Sequence, residues 1–240
     1  MSEPEVIGDT TECCLNTVDD LLITFDNICI TDHETNDNKC DYYKKLLDVL
    51  TTNFENYKKI VLQSKTLKEA CVKCKIFKLS GQVIGPLIEK YIISNNGMKR
   101  ELSSNRCGDC SINNTFIEIK ISIGGKKHNK FNYVQLRMNH KIDIYILVAY
   151  YLHIDNIHEH GELFIFNIPK NDMKELILNY GNYAHGTKLK NGNISLNDLN
   201  DINNNKEYSI RPKYGSECWN ALLKLRVKTI GVQLNQFRLP

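Results

Sequence analysis

Apolar positions recur every three to four residues over the first part of the chain and every second residue after it, so a helical region giving way to a sheet is expected. Over residues 15–30, Leu15, Val18, Leu21, Leu22 and Phe25 fall at helical spacing, and the polar run at 31–38 reads as a connection. Residues 42–50 and 54–77 repeat the helical pattern, the second with Tyr57, Ile60, Val61, Ser64, Leu67, Cys71 and Cys74 on one side. Ser80 and Gly81 interrupt it. A new helix is expected over 83–93, with Ile84, Leu87, Ile88, Tyr91 and Ile92 as its stripe and Pro86 tolerated in its first turn; the SNNG run at 94–97 should end it.

The period then becomes two. Across 116–123, Ile117, Ile119, Ile121 and Ile123 alternate with Phe116, Glu118, Lys120 and Ser122, so the predicted strand has one purely aliphatic face. Asn113-Asn114 can supply the positive backbone angles of a tight turn, which would pair residues 108–112 antiparallel with that strand. Residues 133–138 alternate again, and 142–152 are almost continuously apolar, as in a central strand covered on both sides. A strand over 162–168, a helix over 171–180 and a helix over 216–227 complete the pattern. The expected fold is α/β, a mixed central β-sheet flanked by helices, with a helical N-terminal third. Its expected organisation is a helical region at 1–78 packed on the core, a core at 79–180 and a C-terminal region at 181–240.

Composition sharpens this picture in three respects. At 240 residues and 42% hydrophobic, the chain can form a sizeable core as one domain, or one domain with a small appendage. The longest apolar run, 142–152, contains Asp143 and falls short of the roughly 20 residues that span a bilayer. Acids also stand at the N-terminus where a secretory leader would carry basic residues, so a soluble, cytoplasmic protein without a membrane partner is expected. Its nine cysteines, an odd number, would then be reduced thiols. Charge is unevenly distributed: residues 1–60 hold 13 acids and 5 bases, leaving 15 acids and 26 bases for the other 180, a surplus that suits either a phosphate-facing surface or an evenly solvated one.

Glu118 and Lys120 leave the same face of the predicted strand, and Asp109 on the preceding strand can bring a second carboxylate beside Glu118. Two carboxylates with a backbone carbonyl and waters meet the preference of Mg²⁺ for hard oxygen ligands. A nearby ammonium can position water or compensate phosphoryl charge. Asp109 and Glu118 are thus candidate metal ligands and Lys120 the candidate cation.

With an Asp, eight residues, then Glu-Ile-Lys on an apolar strand, GDCSINNTFIEIK resembles the D…(D/E)xK motif of the PD-(D/E)XK nuclease superfamily. The following NYVQLRMNHKIDIYILVAYYL is similar to core strands of its type II restriction endonucleases, and the resemblance covers residues 82–152. It implies a restriction-endonuclease-like fold, cleavage of double-stranded DNA with Mg²⁺, and a homodimer acting on a short site. Gly108 stands where the family often has proline. Many members carry a further acid on the preceding helix; Glu89 in GPLIEKYI occupies that place, either serving the site or standing as a solvated glutamate beside Lys90.

Further candidates come from the surrounding chain. Gln135 would lie near the metal, and Arg137 and His140 near DNA, if the 133–138 strand continued the active face; exposed strand residues without a role are the alternative. Lys126 and Lys127 after the Glu-Ile-Lys strand make either a phosphate-contacting loop or an ordinary basic turn, and His185, Thr187, Lys188, Lys190, Arg211 and Lys213 are candidates for reading or holding DNA, with a solvated surface as the alternative. The pairs Cys71/Cys74 and Cys107/Cys110 have zinc-site spacing, with buried thiols as the other reading. A structure-specific repair or junction-resolving nuclease, and a non-catalytic zinc-stabilised DNA-binding protein, are the competing functions.

Overall fold

The computed structural model of the chain describes residues 56–124, 129–151, 161–184 and 192–230. The helices expected at 15–30 and 42–50, together with Lys126, Lys127, His185, Thr187, Lys188 and Lys190, lie outside the described residues.

The helical segment expected at 54–77 is two helices, α1 (Tyr57–Leu62) and α2 (Leu67–Ile76). The break is chemical: the Thr66 hydroxyl accepts from Glu69 N at 3.1 Å, while Glu69 Oε2 accepts from Lys65 N at 2.8 Å, so a new helix starts there. α2 ends with Lys78 at φ 52°, Lys78 N bonded to Lys75 O and Leu79 N to Cys74 O, a Schellman closure. Helix α3 (Gly81–Asn95) begins two residues earlier than expected, which places Pro86 beyond the first turn, where it cannot donate to the Gln82 carbonyl. The Tyr91 hydroxyl donates to Ser64 O at 3.0 Å and ties α3 to the turn between α1 and α2.

The main sheet has six strands: β1 (Lys99–Arg100), β2 (Cys110–Ile112), β3 (Thr115–Gly124), β5 (Ile144–Tyr151), β6 (Glu162–Pro169) and β9 (Arg226–Val227), in that spatial order. Asn113 and Asn114, at φ 49° and 64°, make the tight β2–β3 turn. β3 and β5 run parallel from Ile117↔Ile144 to Gly124↔Tyr151, and all other pairs are antiparallel, so the sheet is mixed as expected. Seven of the eight residues of β5 are buried, which accounts for its unbroken apolar sequence.

Two expectations are corrected. β4 (Tyr133–Leu136) does not join the main sheet; it pairs with β8 (Tyr208–Ile210), which pairs with β7 (Asn182–Tyr183), in a separate three-stranded sheet. Its register shifts between Tyr133 and Leu136, with Gln135 at φ 58°, so the two buried residues are three apart and strict alternation fails. Residues 216–227 are not one helix either: after the short α5 (Leu196–Asn200), α6 (Glu217–Leu223), capped by the Ser216 hydroxyl, gives way to β9 at the sheet edge.

Residues paired in register share a face, so Glu118, Lys120 and Ser122 lie on the side of Tyr145, Leu147 and Ala149. Those three β5 residues belong to a cluster with Met173, Leu176 and Ile177 of α4 (Lys170–Tyr180), Tyr208 and Ile210 of β8, and Trp219 and Leu222 of α6. Trp219 stacks on Phe131 at 4.9 Å and meets the edge of Phe164 at 4.8 Å. α3, with Ile88 and Ile92 fully buried, packs against β3 and covers its isoleucine face. Helices therefore flank both faces.

Trp219→Ala is expected to destabilise the chain by about 3–5 kcal/mol, read from urea unfolding followed by circular dichroism. A loss under ~1 kcal/mol would show that the ring cluster carries little of the core.

Candidate functional site

β2 covers only the first three residues of β3, through Cys110↔Ile117, Ser111↔Phe116 and Ile112↔Thr115. Beyond Ile117, no described strand pairs with that edge. Asp109 occupies the corner where the ladder stops. Its backbone N donates to Ile117 O at 2.8 Å, and its Oδ2 accepts from Ile119 N at 2.8 Å, so the side chain takes the ladder position a strand would have filled. Between those two contacts lies Glu118. The expected neighbourhood of Asp109 and Glu118 is therefore met.

Gly108 explains the absent proline. It sits at φ 81°, and a Cβ there would lie 2.5 Å from Ile117 O, so neither proline nor any other side chain can be accommodated. The glycine lets the chain press on the Ile117 carbonyl and set Asp109 at the edge of β3.

Glu118 is buried and ion-pairs with Lys120. Asp109 is pushed up to about 6, by burial first and then by the charge of Glu118, against the lowering effects of Lys120, the Ile119 amide and Arg100. Glu89 arrives from α3 and is not solvated: its side chain is 14% exposed, and Oε1 accepts from Arg100 Nη2 at 2.9 Å. Burial and the charge of Asp109 push Glu89 up to about 7, while Arg100 and Lys120 oppose the shift. Three carboxylates, one ammonium and one guanidinium thus share a half-buried corner with an excess of negative charge.

A groove of about 790 Å³ runs along the free edge of β3 and meets this corner at Glu89, Ile119 and Lys120; Asp109 and Glu118 themselves do not line it. α3 forms one wall with Gln82, Pro86 and Glu89; Lys120 and Ser122 line the floor; Asn132, Val134 and Gln135 form the other wall. Gln135 thus reaches the groove through its left-handed backbone and not through strand alternation.

The remaining candidates divide. Arg137 does not share Gln135's surroundings; it pairs with Glu207, Nε to Oε1 at 2.8 Å, and is not free for a phosphate. Arg211 stands at the groove rim, its Nε donating to Asn132 Oδ1 at 3.0 Å. Exposed Lys213 forms a backbone bridge with Lys130. His140 is half-buried, and its carbonyl accepts from Lys170 Nζ at 2.7 Å. The sequence reading missed Arg100, whose only signal was a basic pair beside Glu101, and Lys75, a groove residue that donates to Gly124 O at 3.4 Å.

Cys71 and Cys74 are buried in α2, and Cys110 Sγ lies 3.5 Å from Met98 Sδ. Among the described residues no three His, Cys, Asp or Glu groups converge as a metal cage, so Cys71/Cys74 and Cys107/Cys110 do not meet in one cluster there. Mg²⁺ needs less from a protein: one or two carboxylates suffice, with waters and ligand oxygens filling the octahedron. The donor set of Asp109 and Glu118, in which burial and then the charge of Glu118 raise Asp109 despite Lys120 and Arg100, fits such an ion. No family model, curated protein or solved structure matches the chain.

Two outcomes follow. Gly108→Ala should cost about 2 kcal/mol or more, from left-handed strain and the backbone clash, measured by urea unfolding; an unchanged midpoint would contradict the close approach. A carboxyl raised in the folded state leaves the fold most stable below its unfolded value and weakens it as pH rises through the folded one. Between about pH 4 and pH 7 the metal-free protein should therefore lose stability through Glu89 and Asp109. Glu89→Gln should recover about 1–2 kcal/mol at pH 8 and nothing at pH 4, read from melting curves in chelator; equal effects at both pH values would refute the electrostatic account.

Proposed function

We propose that the chain is a Mg²⁺-dependent endonuclease of double-stranded DNA, working in the manner of type II restriction enzymes, which it resembles through Asp109, Glu118 and Lys120. What carries the reading is the union of two mutually repelling carboxylates, Asp109 and Glu118, with the ammonium of Lys120, which itself lines the adjoining groove. Charge surplus supports it as well, since 26 bases face 15 acids beyond residue 60. Action as a homodimer on a short two-fold site is the part that rests on the resemblance alone.

Hydrolysis requires water to attack phosphorus while the bond to the leaving oxygen breaks, and charge grows on the phosphoryl oxygens meanwhile. Asp109 and Glu118 would hold Mg²⁺, which when bound lowers the pKa of coordinated water and offsets phosphoryl charge. Lys120 is the counter-ion of Glu118; with Glu118 holding Mg²⁺ instead, its ammonium would be available to a phosphate. Glu89, pushed up to about 7, can accept a proton at neutral pH and return it to solvent, an exchange an ordinary glutamate near 4 performs poorly. Arg100 limits that rise and keeps Glu89 turned to the corner. Gln135 and Arg211 stand along the groove, where they can hydrogen-bond the DNA strand.

Incubating the full chain with mixed plasmid and phage DNA should give discrete fragments with Mg²⁺ and none with chelator. Asp109→Ala, Glu118→Ala and Lys120→Ala should each reduce cutting by about 10²- to 10³-fold or more while circular dichroism is unchanged. A fully active Glu118→Ala protein would sink the assignment.

A further inference from the structure

A second set of charged groups lies beside the corner and is not used by it. Three backbone segments meet there: the turn at Arg106, the turn 137–141 after β4, and the start of α4. Lys141 N donates to Arg106 O at 2.8 Å, Lys170 Nζ to His140 O at 2.7 Å, and Lys170 N to Asp143 O at 2.9 Å. The Tyr145 hydroxyl, on the Glu118 side of the sheet, donates to Arg137 O at 3.1 Å and holds the 137–141 turn over that side. Arg106, His140, Lys141 and Lys170 are thereby gathered into one patch.

Lys141 fixes where the patch lies. Its Nζ sits 4.7 Å from the centre of the Phe116 ring, and Phe116 shares the face of Glu118 two residues earlier on β3. At about 3.3 Å of rise per residue, the patch is about 7 Å along the strand from the acidic corner. That is one step along a nucleic-acid backbone.

Its positive charge is not matched. Among the described residues, Arg106, His140, Lys141 and Lys170 form no ion pair with an acid. Of the nearby acids, Asp143 Oδ2 accepts from Phe116 N at 2.8 Å, Glu207 binds Arg137 and Glu118 binds Lys120, while Asp172 in the first turn of α4 forms no ion pair with Lys170. Asp143 raises Lys170 only weakly against burial and the charge of Lys174. His140 is held below its usual value by burial, then by Arg137, Arg106, Lys170 and Lys120, so the imidazole stays neutral in a positive field. A cluster of cations this close repels itself unless an anion joins it.

We propose that Arg106, His140, Lys141 and Lys170 form a seat for a DNA backbone phosphate adjacent to the phosphate at Asp109 and Glu118. The ligand's identity rests on the nuclease reading, whereas the anion site itself does not. A seated phosphate compensates the four groups, and His140 takes up a proton as it binds. The patch holds the strand in register beside the corner and takes no part in bond breaking.

Two measurements without metal separate this from the nuclease reading. In the first, NMR follows the His140 imidazole, assigned with His140→Gln, through a pH titration with and without millimolar inorganic phosphate. The midpoint should rise by about half a unit or more with phosphate in the native chain and stay fixed in Lys170→Gln. In the second, anisotropy measures binding of a labelled DNA duplex in chelator across a salt series. Arg106→Gln and Lys170→Gln should each weaken binding and reduce the slope of log K against log salt by about 0.9, with unchanged circular dichroism. A midpoint indifferent to phosphate overturns the seat. A midpoint that responds while both DNA slopes stay native overturns the DNA assignment and leaves a site for free anions. A chain that passes both tests yet never cuts DNA keeps the seat and loses the nuclease.

Discussion

The hydrogen bond from the Ile119 amide to the Asp109 carboxylate holds the candidate site together. Strand β2 pairs with β3 only as far as Ile117, and the next outward-facing amide on that edge would lose its partner if Asp109 turned away. The sheet therefore positions the carboxylate as part of satisfying its own backbone. That position requires Gly108 at φ 81°, pressed on the Ile117 carbonyl. Asp109 is thereby forced against Glu118, and burial together with the charge of Glu118 raises it to about 6. Folding energy from the ladder offsets an arrangement that two carboxylates would not adopt by themselves.

An unpaired strand edge is commonly a liability, since its open backbone groups can recruit another strand. Here the edge of β3 is flanked by α3 on the isoleucine side and by the Asn132–Gln135 segment on the other, which converts it into a groove floor. Chemistry and access thus come from one feature: the same early end of β2 that frees the Asp109 corner also opens the groove leading to it. Glu89 joins from a different element, and Arg100 on β1 anchors it. The bulge at Gln135 belongs to this construction, because it turns one side chain toward the groove while Tyr133 and Leu136 remain in the core.

Much of this was legible locally. The isoleucine alternation specifies β3, the Asn-Asn pair specifies its turn, and together they bring Asp109 opposite Glu118; continuous burial specifies β5. Thr66 and Glu69 also spelled a helix start, overlooked because the apolar stripe runs through it. Partners distant in sequence were not legible. Arg137 and Glu207 are 70 residues apart, and nothing near either one announces the pair. Placement of β4 in a second sheet depends on β8, whose three residues carry little pattern of their own. Gly108 could be read only as a departure from a motif, since the carbonyl that excludes its side chain belongs to another strand.

The account turns on the charge state of one carboxyl, so its most direct test is the titration of the Asp109 side-chain carbonyl carbon by NMR, with and without millimolar Mg²⁺. In the metal-free chain the midpoint should stand at about 6, and Mg²⁺ should lower it by at least about one unit. A midpoint at the ordinary aspartate value, unmoved by Mg²⁺, would contradict the claim that β2 and β3 build a divalent-cation site.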